Sequence, residues 1–279
     1  MREHLYNAEY KAEVSKYKKK DAIIALCFYA FFYCVILFLP SVWGVLDIGP
    51  TEILGVNTVF IVDSIILIAA VFILVSLKKD GIASLGFRKN NLWPAVRLGL
   101  LFGSIILASV VLPSIIFGWE TRAFGIASLM MFRTIIAAAQ EDIIFVGYIQ
   151  TRLYGLVKND ILAILVGAFL FSFMHLMPLF GSQGLAAFNL GSLIWMLQLI
   201  PAHIFHNAIF RRYFSILPVI IVHALGNGAQ HFWYSYGAPG AVLSAYVGII
   251  AVLFALVTWV VCLRRRGGKV QDVRESSVF

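Results

Sequence analysis

Two acids stand side by side in a stretch that is otherwise almost wholly apolar, Gln140-Glu141-Asp142-Ile143-Ile144-Phe145. Further on, His175 sits alone in Phe171-Ser172-Phe173-Met174-His175-Leu176, and Val222-His223-Ala224-Leu225-Gly226-Asn227 sets a histidine four residues before an asparagine. An ionised group at the middle of a bilayer costs about 3 kcal/mol or more, so each of these residues needs a named partner or a function. On a helix Glu141 and Asp142 point about 100° apart, which predicts that no one partner satisfies both and that at least one carboxyl faces a polar cavity. His223 and Asn227 share a helical face with small Ala224 and Gly226 between them, so two donors can serve a single oxygen. The bland alternatives are hydrogen bonds between helices for the acids and for His175, and an Asp63–Arg133 pair for the remaining buried acid. Glu141, Asp142, His175, His203, His206 and His223 are also metal-ligand types, of which Zn²⁺ takes three or four, although the His-Glu-x-x-His pattern of helical zinc proteases is absent. His203 and His206, close to Arg211, read equally well as residues of the membrane interface.

The elements that must hold these side chains follow from composition. Of 279 residues, 61% are hydrophobic and 13% charged, which excludes a water-soluble globule. A span of about 20 apolar residues per crossing accommodates eight helices, near 22–46, 53–77, 97–117, 124–150, 161–180, 189–210, 213–235 and 240–263. The expected fold is therefore an all-α polytopic membrane protein of about eight transmembrane helices. Residues 1–20 form a polar tail able to make an interfacial helix, 21–117 hold three spans and a basic loop, and 118–235 hold the chemistry-bearing helices. A last span within 236–263 and a basic tail over 264–279 complete the chain. Of the 22 Lys and Arg, all but Arg122 and Arg133 fall in the two tails, the 78–97 loop and the segments after the fourth and sixth helices. This alternation predicts a multi-pass protein of the cell membrane with both termini cytoplasmic. The net charge of +8 thus reads as topology and lipid contact, not nucleic-acid binding. Cys27, Cys34 and Cys262 lie in apolar runs without a pairing pattern. An inverted repeat, the mark of many transporters, is absent.

Glu-Asp, then Phe-x-x-x-His, then His-x-x-x-Asn, each on its own helix and in this order, resembles the CAAX protease and bacteriocin-processing family, which includes the Ras-converting CAAX endopeptidases. Its first motif, Glu-Glu-x-x-x-Arg-Gly, is similar to Glu141-Asp142-Ile143-Ile144-Phe145-Val146-Gly147; Phe171 with His175 and His223 with Asn227 match the second and third. Ser84-Leu85-Gly86-Phe87-Arg88 is also like the family. The sequence departs at Asp142, a shorter acid, and at Val146, which removes the cation four residues after Glu141's neighbour. The resemblance implies a four-helix catalytic core and a metal-independent endopeptidase without a cofactor. It implies Glu141 as general base for water, His175 as the residue that orients that water, and His223 and Asn227 as donors to the developing oxyanion, with Asp142 and Phe171 in support. The implied partner is a membrane-associated or lipidated peptide or protein. Two other readings stay open: a catalytically impaired relative that binds or regulates at the membrane, and a proton-coupled transporter.

Overall fold

The computed structural model describes residues 7–45, 52–53, 56–89, 92–117, 120–121, 124–183 and 190–234, with positions 253 and 256. Among them the regular structure is helical, with a 3₁₀ turn at Ile82–Leu85, apart from two short ribbons. The helices are α1 (Ala8–Ser15), α2 (Lys19–Val45), α3 (Thr58–Leu77), α4 (Leu92–Phe117), α5 (Phe124–Glu141), α6 (Gln150–Leu153), α7 (Asp160–Gln183), α8 (Leu190–Tyr213) and α9 (Leu217–Phe232). Strand β1 (Glu52–Ile53) pairs antiparallel with β2 (Val56–Asn57), and β3 (Glu120–Thr121) with β4 (Trp233–Tyr234).

Seven expected helices are present, with shifted ends. The second begins at Thr58 because the β1–β2 ribbon occupies the residues before it. The third begins at Leu92, with Pro94 in its first turn, where a missing N–H breaks no helical bond. The fourth, expected as one α-helix over 124–150, is instead α5 running into a π-helical stretch, Asp142–Ile149, and then α6. The N–H of Gln150 donates to the carbonyl of Phe145, five residues back. The expected span at 240–263 and the tail at 264–279 lie outside the described residues, save positions 253 and 256. Among the described residues, Phe60–Leu77 is long and apolar enough to cross a membrane, and shorter apolar helices run over Leu92–Ala108, Asp160–His175 and Leu217–Gly228.

Helix α9 packs along α4 and α5, and α7 along α8. The α4–α9 contact is close because Gly99 and Gly103, one turn apart, face it. A Cβ on Gly99 would lie 2.9 Å from Pro218 Cα, and one on Gly103 would lie 2.4 Å from Leu225 Cδ1. Small residues at that spacing let helix backbones approach without a hydrophobic driving force between them.

The Lys- and Arg-rich end is tied by a second set of contacts. Arg152, 1% exposed, donates to Asp80 Oδ2 at 2.8 Å, Ser84 Oγ at 3.0 Å and Thr151 Oγ1 at 2.8 Å, with its guanidinium 4.5 Å from the Tyr17 ring centroid. The expected tail helix is α1, capped by the Asn7 side chain, which accepts from Glu9 N at 2.8 Å. It folds onto this end: Tyr10 packs edge-on to Tyr154, Phe210 and Phe214, and Arg88 pairs with Glu9. Between them Gly86 adopts φ +88°, and its carbonyl accepts from Ile216 N at 3.2 Å. A Cβ there would fall 2.5 Å from the Phe210 ring and 2.9 Å from Ile216 N. Gly86→Ala therefore combines left-handed backbone strain with a backbone clash, and a loss of roughly 2 kcal/mol or more is expected. A melting temperature in detergent equal to that of the wild type would refute it.

Candidate active site

The four helices α5, α7, α8 and α9 bring their polar residues to one place. Glu141 ends α5, with Oε2 3.7 Å from His175 Nε2 on α7 and 3.7 Å from His223 Nε2 on α9. Asp142 begins the π-helical stretch, with Oδ2 3.2 Å from His223 Nδ1 and Oδ1 3.4 Å from His206 Nδ1 on α8. As expected, no single ring hydrogen-bonds both acids, since Glu141 Oε2 has no hydrogen-bond partner among the described residues, yet one imidazole lies close to each. His223 touches both, one through each ring nitrogen, and the reason is local. Bonds from i to i+5 place more residues in each turn than an α-helix does, so neighbouring side chains diverge less in direction, and an imidazole spans the rest.

The two acids differ in exposure. Asp142 is completely buried, while the side chains of Glu141 and His175 are each 19% exposed. Val146, in place of the family arginine, is buried in the apolar core. Asp142 is not left to apolar neighbours: the two imidazoles take the place that a cation on its own helix would fill. Arg152 is held by Asp80 and Ser84, and Arg133 lies 4.4 Å from the Phe60 ring centroid, on the helix that carries Asp63.

Phe171 organises the rings. It is buried, lies 4.8 Å from His175 edge-on, and stacks at 4.5 Å and 18° on His203. Its carbonyl takes a hydrogen bond from His175 Nδ1 at 2.9 Å. In the neutral ring that bond puts the proton on Nδ1 and leaves Nε2, the atom facing Glu141, as an acceptor. The i,i+4 spacing of Phe171 and His175 is what lets the ring reach back to that carbonyl. Ser172 donates instead to the carbonyl of Met196 on α8, so it is occupied in helix packing. Phe169 is half exposed and stacks on Phe173, apart from this cluster of rings.

Asn227, one turn beyond His223 on α9, is exposed. His203 and His206, left open between metal ligation and the membrane interface, are buried inside the cluster. His203 has no hydrogen-bond partner for either ring nitrogen among the described residues, and Asn207 Nδ2 donates to its carbonyl at 3.0 Å. The available signal was the pattern His203-x-x-His206-Asn207 in an apolar run. Its nearness to Arg211 obscured that the helix turns this face inward. Asp142, His206 and His223 offer three ligand atoms within 4.8 Å of one another, a set that could hold a metal ion.

No curated protein matches the chain. Residues 123–229 match the model of the family described as type II CAAX prenyl endopeptidase Rce1-like. That region contains Glu141, His175, His206 and His223, one from each of the four converging helices. Over that region the chain is similar to the Rce1-like CAAX prenyl endopeptidases.

Proposed function

We propose that the protein is a multi-pass intramembrane endopeptidase that cleaves a prenylated or otherwise membrane-associated peptide with water activated by Glu141. The observation that carries this reading is the triangle of Glu141 Oε2 with His175 Nε2 and His223 Nε2, two edges of 3.7 Å drawn from three helices. The two imidazole nitrogens thus stand beside the same carboxylate oxygen, where a water could be held. Glu141 is the partly exposed acid, and Oε2 has no hydrogen-bond partner among the described residues. Asp142 is fully buried and flanked by the rings of His206 and His223. Two carboxylates in unlike surroundings divide into a proton-moving group and a structural one.

In this mechanism His175 Nε2 accepts a hydrogen bond from water and aims it. Glu141 takes the water's other proton as its oxygen attacks the carbonyl carbon, and the tetrahedral oxyanion meets the donors of α9, His223 and Asn227. Glu141 then returns the proton to the departing amine nitrogen as the carbon–nitrogen bond breaks. Lipid and substrate are the only partners this scheme needs. The alternating distribution of Lys and Arg supports eight crossings with both termini cytoplasmic.

A second reading rests on the ligand set Asp142, His206 and His223, whose spacing suits Zn²⁺ acting as a Lewis acid. Both readings are separated with a farnesylated CAAX peptide carrying a fluorophore and quencher across the scissile bond. Glu141→Gln and Glu141→Ala are expected to lower cleavage by about 10²-fold or more. Exhaustive chelation is expected to leave the rate within about twofold of the untreated protein. Full cleavage by either Glu141 variant sinks the general-base role, and loss on chelation with recovery on adding Zn²⁺ promotes the metal reading. A wild-type protein that binds the peptide without cutting it is instead a binding relative. Cysteines placed singly in the 1–20 tail, the 78–97 loop and the 264–279 tail should all be blocked by a membrane-impermeant maleimide only after the cells are opened. Labelling of any of them on intact cells contradicts the proposed topology.

A further inference from the structure

We propose that His203 and Asn207, one turn apart on α8, form a buried water-binding site that supplies the hydrolytic water to Glu141; the supply role rests on the proteolytic reading above. Both residues are 0% exposed, yet among the described residues neither nitrogen of the His203 ring nor Oδ1 of Asn207 has a hydrogen-bond partner. Positions four apart share a helical face, and Asn207 Nδ2, donating to the His203 carbonyl at 3.0 Å, folds its amide back toward that turn. The His203 ring stacks on Phe171 at 4.5 Å and 18°, which covers its face. Its edge, where Nδ1 and Nε2 donate and accept, is left to find other partners. The next turn continues the pattern, since His206 Nδ1 also lacks a hydrogen-bond partner among the described residues.

Buried polar atoms of native proteins are paired with protein groups or with ordered water, because an enclosed group left alone forfeits the hydrogen bonds it makes in the unfolded chain. A neutral imidazole presents one N–H and one acceptor nitrogen, and Asn207 Oδ1 adds a second acceptor. Water, donor and acceptor at once, satisfies this set, whereas a prenyl or acyl chain satisfies none of it. Phe171 joins the site to the catalytic acid. His203 lies on its face at 4.5 Å and His175 against its edge at 4.8 Å. The two imidazoles are therefore no farther apart than two ring contacts, a gap that about two hydrogen-bonded waters span. Beyond His175 stands Glu141 Oε2, 3.7 Å from Nε2 and itself without a hydrogen-bond partner among the described residues. Hydrolysis below a lipid surface has to draw on water kept inside the protein, since the hydrocarbon around it holds none. His203 and Asn207 keep that water, His175 aims it, and Glu141 takes its proton.

The test is radiolytic hydroxyl footprinting of the full-length protein in detergent and heavy-oxygen water, in which a bound water labels the side chain beside it whatever its access to bulk solvent. His203 and Phe171 are expected to take up label about tenfold or more faster than Phe32 and Phe145, which are comparably buried in the apolar core. His203→Phe keeps an aromatic ring against Phe171 but offers no polar atom. It is expected to bring Phe171 down to the Phe32 rate, and to lower kcat on the farnesylated CAAX peptide about tenfold or more with KM within about twofold. His203→Gln, which restores a donor and an acceptor, is expected to keep kcat within about threefold of wild type. A role confined to packing predicts the opposite order for the two variants. If His203→Phe does not fold, His203→Leu against His203→Gln gives the same contrast. Labelling of His203 no faster than Phe32 overturns the site, as does label that exhaustive chelation abolishes, which marks a metal-bound water instead. Wild-type kcat in His203→Phe overturns the supply role. Glu141→Gln, measured alongside, keeps the two levels apart: its full cleavage removes the proteolytic reading, while the label on His203 still decides whether water is bound there.

Discussion

A carboxylate sealed from water must find its compensation inside the protein, and Asp142 is hydrogen-bonded through Oδ2 to His223 while His206 Nδ1 lies 3.4 Å from Oδ1. This constraint arranges the whole cluster. Because those imidazoles come from α8 and α9 while the acid starts the π-helical stretch after α5, three helices have to meet at one depth. Buried polar contacts add little net stability compared with apolar packing, but leaving one half-satisfied is expensive, which makes them effective at fixing register between helices. The close approach of α4 to α9 at Gly99 and Gly103 serves the same end, since it sets α9 and hence His223 against the bundle.

The acid pair shows how adjacency in sequence is turned into difference in chemistry. Glu141 keeps some access and its Oε2 looks toward His175 and His223, while Asp142 is enclosed. Phe171 contributes at three points: its carbonyl fixes the tautomer of His175, its edge meets that ring, and its face carries His203. An aromatic side chain that is rigid and fully buried transmits position between α7 and α8 with little conformational freedom to lose. On the proposed mechanism, reactive geometry is thus supplied by helices and not by loops, in keeping with the accuracy that proton transfer demands.

Much of the helical layout was legible in the amino-acid sequence, because spans bounded by Lys and Arg leave a strong signal in composition. The grouping of Glu141, His175 and His223 was legible too, since ionisable residues in apolar runs are rare enough to be noticed singly. What the sequence concealed was direction. A uniform α-helical period sent Glu141 and Asp142 well apart, whereas both carboxyls lie within 3.7 Å of the His223 ring, which hydrogen-bonds only Asp142. The loss of arginine at Val146 suggested an acid with no counterpart, because a counterpart from α8, more than 60 residues away in the chain, has no periodic signature. His203 and His206 lay near a basic helix end, and only packing distinguishes a face turned inward from one at the lipid boundary.

The wide turns of Asp142–Ile149 also join two ends of the molecule. Upstream of them stand the paired acids; downstream stands Arg152, locked to Asp80 and Ser84 at the basic end. Its i to i+5 bonds fit more residues into each turn than an α-helix does, so the segment sets the angle at which the two ends face their partners. The segment behaves as a phase-setting washer between two bolted flanges, and its pitch is what holds the acids and the guanidinium each against its own partners.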